Sequence, residues 1–119
     1  MITIYHNPRC RKSRETLALI QESGVAFEIV EYLKTPLNPE QFRALLHKLQ
    51  MQPDELLRKG ESIWKEKYKG RALGEDEILR AMAEHPKLME RPIVVRGQRA
   101  VLGRPPENVH RLLRDPARD

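Results

Sequence analysis

The sequence predicts an α/β fold with a mixed sheet, in the order βαβ, a helical insertion, ββα. Three observations predict it. Near the N-terminus a 10–15-residue helical pattern separates two β-favouring runs, the signature of a βαβ unit with parallel strands. Near the C-terminus two short apolar runs flank a tight turn, the signature of an antiparallel hairpin. Between them, from about residue 35 to residue 90, the apolar residues recur only at helical spacing. With 119 residues, the chain is long enough to form one domain, 1–119, with its own core and no need of disulfides.

Ile2-Thr3-Ile4-Tyr5 is apolar and β-favouring, without a breaker, and His6-Asn7-Pro8 stops it. Arg11 to Ser23 reads as a helix with Leu17, Ile20 and the stem of Arg14 on one face, closed by Gly24. Phe27, Ile29, Val30 and Tyr32 form a second strand ending near Leu33. Asn38-Pro39-Glu40-Gln41 is a helix start, with Asn as cap, Pro at the first helical position and Gln three residues on. Phe42, Leu45, Leu46 and Leu49 then form an apolar stripe. Pro53-Asp54-Glu55 opens a short helix ending at Gly60, and Ile63, Trp64 and Tyr68 lie at helical spacing. Glu75 to Glu84 is helical again, and Pro86 marks its end. Pro92-Ile93-Val94-Val95 and Ala100-Val101-Leu102 flank the turn Arg96-Gly97-Gln98. Arg104-Pro105-Pro106-Glu107 starts a last helix through Leu113, and Arg114 to Asp119 is expected to fray. This order is that of a thioredoxin-like fold with a helical insertion. A proline before the third strand often takes a cis peptide bond in that arrangement, and Pro92 stands there.

Composition excludes several function classes. The single cysteine rules out an internal disulfide and multi-thiolate zinc sites. Charge begins at Arg9, so residues 1–25 lack a signal-peptide core, and no apolar run reaches the length of a membrane span. The expectation is a cytoplasmic, monomeric protein in a reducing compartment, with no metal and no bound cofactor. The net charge of +5, from 22 Lys and Arg against 17 Asp and Glu, is mostly interleaved, as in KEKYKGRALGEDE. That is the pattern of solvated helix faces. Nor do basic residues alternate with aromatics, so nucleic acid is not expected.

The stretch that carries chemistry is HNPRCRKSR, residues 6–14. A strand, a turn and a helix put Cys10 at or just before a helix N-terminus, where free N–H groups and the dipole favour an anion. A thiol there ionises more easily, and the thiolate is the nucleophile. Arg9, Arg11, Lys12 and Arg14 add positive charge. The plain alternative is a small buried residue that happens to be cysteine. Arg58 and Arg91 have a plain reading as helix-end cations. Arg104 is harder to read so, because a cation before a helix start is unfavourable unless an anion joins it. His6 reads equally as a strand-end polar residue. His47, His85 and His110 show no paired ligand spacing, Trp64 reads as a core or groove residue, and Arg71 belongs to a charged surface.

Four blocks, His6-Asn7-Pro8-x-Cys10-x-x-Ser13-Arg14, Leu56-Leu57-Arg58-Lys59, Arg91-Pro92-Ile93-Val94-Val95 and Gly103-Arg104-Pro105, resemble the glutaredoxin-coupled arsenate reductases, in register from about Met1 to Leu113. The resemblance implies Cys10 as nucleophile and Arg58, Arg91 and Arg104 as oxyanion-binding arginines. It places His6, Ser13, Arg14 and Pro92 in supporting positions. It also implies reduction of arsenate to arsenite, with glutathione as co-substrate and glutaredoxin as partner. Many members carry small or hydroxyl residues after the cysteine where Arg11 and Lys12 stand here, a departure that bears on substrate rather than fold.

The residue types suit that chemistry on their own terms. Displacing an oxygen from a tetrahedral oxyanion needs a thiolate and donors for the remaining charge, and arginine's planar fork supplies bidentate bonds while staying charged. With no second cysteine in the chain, an external thiol must accept the oxidation. Two other readings share the fold. One is a glutathione-dependent reductase of another substrate. The other is a non-enzymatic, Spx-like transcriptional regulator. Those regulators typically use a Cys-x-x-Cys switch, which Ser13 precludes here.

Overall fold

A computed structural model of the chain describes residues 1–114. These fall into two compact units, Met1–Thr35 with the residues from Arg91 onward, and Pro36–Glu90.

The first unit is built on a four-stranded sheet, β1 (Ile2–Tyr5), β2 (Phe27–Val30), β3 (Ile93–Arg96) and β4 (Arg99–Leu102), in the spatial order β2-β1-β3-β4. β1 runs parallel to β2, with Ile2 opposite Phe27, and antiparallel to β3, with Ile4 opposite Val94; β4 returns antiparallel on β3. The sheet is mixed because the connection from β1 to β2 is a helix, whereas β3 and β4 are joined by a two-residue turn, Gly97-Gln98. α1 (Arg11–Ser23) is that crossover helix. Gly24 ends it in the left-handed region at φ 78°, where a side chain would be strained, and returns its N–H to the Gln21 carbonyl. Ile2, Ile4, Ile20, Val94, Val101, Val109 and Leu112 form the core, with Leu17 and Phe27 packed against it. After β4 a 3₁₀ turn (Pro106–Val109) leads into α6 (His110–Leu113). The buried Arg96 ties α6 down, Nη1 donating to the Leu112 carbonyl at 2.8 Å. This is the thioredoxin-like arrangement that the sequence predicts.

The second unit is helical: α2 (Pro39–Leu49), α3 (Pro53–Leu56), α4 (Ser62–Lys67) and α5 (Glu75–Glu84), then a 3₁₀ turn (Pro86–Leu88). α2 begins as its sequence dictates, with Asn38 and Gln41 exchanging side-chain and backbone bonds in a full capping box. Phe42, Leu45 and Leu46 of α2 are buried, as are Ile78, Leu79 and Met82 of α5, which packs against it.

Four expectations need correction. The face that α1 buries is Ser13, Thr16 and Ile20, and Arg14 is exposed. Ile20 and Leu17 face the core as expected, and two hydroxyl residues extend the buried face in place of Arg14: Thr16 packs on Gly103 and Ser13 on His6 and Asn7. β2 ends at Val30, because Glu31 opens a turn whose carbonyl accepts from Lys34 and Thr35. α3 stops at Leu56: Leu57 turns extended and bridges Met89, with Arg58 N donating to the Leu88 carbonyl at 2.7 Å. Long-range pairing there overrides local helix propensity. The last helix opens as a 3₁₀ turn, so the dipole argument applied to Arg104 loses its basis. Beyond Arg114, the expected frayed tail lies outside the described residues.

Candidate active site

Asn7 organises the loop between β1 and α1. Its carbonyl accepts from Cys10 N at 3.0 Å, its side-chain oxygen from Arg9 N at 3.0 Å, and its own N–H donates to Ser13 Oγ at 3.0 Å. These bonds bring the chain out of the strand and into the helix with Cys10 at the N-cap of α1, extended at φ −91° and ψ 124°. Its carbonyl accepts the first intrahelical bond, from Arg14 N at 3.0 Å. An N-cap side chain is normally an oxygen that accepts from the second or third amide of the helix. Here a sulfur holds that place. It closes no capping bond of ordinary geometry, yet the Ser13 and Lys12 amides favour its ionised form.

The Cys10 thiol is 8% exposed. Burial is the largest single influence on it and resists ionisation. The Ser13 amide, the Arg91 side chain through hydrogen bonding and charge, and the Lys12 amide together outweigh burial, leaving the thiol below its ordinary range.

His6 and Ser13 form a buried pair, 6% and 0% exposed, with His6 Nδ1 2.6 Å from Ser13 Oγ. Ser13 Oγ also accepts from Asn7 N–H at 3.0 Å, so one buried hydroxyl ties the end of β1, the imidazole and α1 together. Burial holds His6 below its usual pKa; Glu31 opposes this and Arg14 adds to it. Burial thus disfavours the imidazolium, and the contact with Ser13 makes His6 a member of the loop scaffold. Replacing Ser13 by alanine strands His6 Nδ1 and the Asn7 N–H together. A destabilisation of about 2 kcal/mol is expected, and urea unfolding of the two proteins would measure it.

On the other side of the loop, Arg91 enters β3 through a cis bond to Pro92, and Arg104–Pro105 is cis as well. Arg104 Nη1 lies 3.3 Å from the Arg91 carbonyl it donates to. Arg91 Nε is buried and has no hydrogen-bond acceptor. Gly103 sits where only a hydrogen fits: a Cβ there would lie 2.7 Å from both Pro92 Cγ and Thr16 Oγ1. Its N–H donates to the Pro92 carbonyl at 2.8 Å. Thr16, fully buried, donates its hydroxyl to the Lys12 carbonyl at 2.8 Å. Through these contacts α1 is locked against the two segments that carry Arg91 and Arg104.

The structure therefore brings His6, Cys10, Ser13, Arg14, Arg91, Pro92 and Arg104 into the sheet unit. Arg14 is anchored outward, Nη1 donating to the Pro8 carbonyl at 3.0 Å. Arg58 belongs to the helical unit, where its Nε lies 3.4 Å from Glu61 and its Nη1 3.4 Å from Glu90. Among the described residues no group of three or more His, Cys, Asp or Glu is placed to hold a metal ion. The sequence marks Asn7 only as part of a strand stop and a motif and Gly103 only as part of a motif, and it does not mark Thr16. Asn before Pro in a strand-ending turn is a signal of such loop bonding. Nothing in one sequence shows the mutual approach of Thr16 and Gly103.

Residues 5–112 match the model of the ArsC family. Uncharacterized protein YfgD of Escherichia coli strain K12 is 50% identical over 110 residues, covering 91% of this chain and 92% of that one. An arsenate reductase of Neisseria meningitidis serogroup B is 41% identical over 114 residues, covering 94% and 97%. Among solved structures, an arsenate reductase from Vibrio cholerae superposes with a TM-score of 0.88 at 45% identity, covering 92% of this chain and 95% of that one. With a family match of that extent, and relatives this similar along nearly their whole lengths, the chain belongs to the ArsC family.

Proposed function

We propose that the protein reduces arsenate to arsenite in a reducing cytoplasm, with Cys10 as nucleophile, glutathione as the second thiol and glutaredoxin as the partner that regenerates the enzyme. The observation that carries this reading is a thiol held below its ordinary pKa beside Arg91, whose buried Nε has no acceptor. An orphaned buried donor next to a thiolate is what a tetrahedral oxyanion would satisfy. Relatives named arsenate reductase support the choice of arsenic.

In this mechanism the Cys10 thiolate attacks arsenic and an arsenate oxygen leaves as water. Arg91 and Arg104 neutralise the remaining oxygens. Arg58 joins them on the family resemblance alone. A glutathione sulfur then bonds to Cys10 as arsenic takes up two electrons and leaves as arsenite. Two thiols become one disulfide, and one oxygen becomes one water. Glutaredoxin reduces the mixed disulfide, because the only cysteine of the chain cannot be resolved internally. His6, Ser13 and Pro92 serve by fixing the loop, and Arg14 by anchoring it to Pro8.

Oxyanions that bind only the folded chain raise its stability by mass action, about 2.7 kcal/mol at a hundred times Kd. Arsenate, phosphate and sulfate are therefore expected to raise Tm in a concentration-dependent way. Arg91→Ala and Arg104→Ala should weaken that response. An unchanged anion response in both variants would place the oxyanion site elsewhere.

A further inference from the structure

We infer that Arg9 and Lys12 make the Cys10 site selective for thiols and disulfides that carry carboxylates, so that charge at the mouth of the site chooses its small-molecule partner. The inference rests on the reading that Cys10 exchanges with an external thiol, and it assigns that thiol's chemistry to two particular side chains.

Four basic residues surround the sulfur in the chain, and the structure separates them. Arg11 Nε is paired with Glu15 at 3.1 Å. Arg14 is committed to the Pro8 carbonyl. Arg9 and Lys12 are exposed, and among the described residues neither has an ion-pair partner. Both leave the backbone beside the sulfur: Arg9 is the residue before Cys10, and the Lys12 amide is one of the two that act on the thiol. The first turn of α1 contains no acid, although cations there are opposed by the helix dipole. Two uncompensated cations in an unfavourable place are well placed to meet an incoming anion.

Exposed charges contribute little to stability but strongly to encounter, and they do so most at low ionic strength. An anionic thiol or disulfide gains from this potential, a neutral one is indifferent, and a cationic one is repelled.

The test is thiol–disulfide exchange in the absence of arsenate. The Cys10 thiolate attacks one sulfur of a symmetrical disulfide, the Cys10–S–S–R bond forms, the other half leaves as a thiolate, and no net oxidation occurs. Adduct formation by the reduced protein is followed by mass spectrometry with glutathione disulfide (anionic), bis(2-hydroxyethyl) disulfide (neutral) and cystamine (cationic). The quantity read is the ratio of each charged reagent's rate constant to the neutral one's, in which changes in thiol ionisation or nucleophilicity cancel. In a variant carrying Arg9→Gln and Lys12→Gln the glutathione disulfide ratio should fall about three-fold, and in Arg9→Glu with Lys12→Glu about ten-fold. The cystamine ratio should rise in the same order. Both differences should collapse in 1 M salt, where screening acts over about 3 Å. A glutathione disulfide ratio that stays within about two-fold of the parent's in both variants at low salt overturns the inference, whatever cystamine does. Because no arsenate is present, this result stands or falls apart from arsenate turnover.

Discussion

Replacing Cys10 by serine is expected to abolish arsenate reduction, by a factor on the order of 10⁴ or more, while leaving the protein folded. A serine hydroxyl is essentially never ionised near neutrality, and a family of interactions arranged around a thiolate cannot compensate for a missing nucleophile. The fold should tolerate the change unusually well. Cys10 is the N-cap of α1 without a capping bond of its own, and serine is among the preferred N-cap residues. Its stability is therefore expected within about 1 kcal/mol of the parent's. Arsenite production and urea unfolding, measured on the same preparation, check the two halves. Residual turnover near the parent's rate would remove Cys10 from the mechanism.

Arg91→Ala is expected to have the next largest effect, a loss of kcat/KM of about 10²–10³-fold. Arg91 acts twice on this account. It holds the Cys10 thiol down through hydrogen bonding and charge, and its otherwise unaccepted Nε is available to the oxyanion. The two effects separate in a pH profile. A thiolate reaction rises as pH increases through the thiol's pKa and then levels off. Without Arg91 the burial of Cys10 is opposed only by the Ser13 and Lys12 amides, so the rise should move to higher pH. Thiolate absorbance should move with it. The same depression has a sign for stability: a folded-state pKa below the unfolded one contributes stability that is fully present above the ordinary thiol value of ~8.5. That contribution is lost as pH falls through the folded value. In Arg91→Ala it should shrink. A pH profile unshifted from the parent's would leave Arg91 with a role in anion binding alone.

The features that sequence made legible are those dictated by local chemistry. Arg11 and Ser23 bound α1 as expected because the loop before it and Gly24 after it are strong stop signals. Asn38 and Gln41 announced their capping box in the same way. The parallel pairing of β1 and β2 followed from the helix between them. What escaped was set by contacts distant in sequence. Leu57 leaves its helix to pair with Met89, thirty-two residues on. Thr16 and Gly103 meet across most of the chain. The site shows the same division. Cys10 at a helix start could be read directly, whereas the burial of His6 on Ser13 and the orphaned Nε of Arg91 required the fold. The burial of Ser13 and Thr16 beside Ile20 was the least legible feature, since a helix face is expected to bury apolar residues, and here two hydroxyls join it, Ser13 bonding the loop and Thr16 the Lys12 carbonyl.

The most direct test of the central claim is the ratio of arsenite formed to protein present. With arsenate, glutathione and glutaredoxin in excess, arsenite is expected to exceed the protein by many turnovers, and a one-to-one glutathione adduct on Cys10 should accumulate when glutaredoxin is left out. Arsenite that never rises above the protein-free background, from a folded chain whose thiol is free, would contradict arsenate reduction as its function.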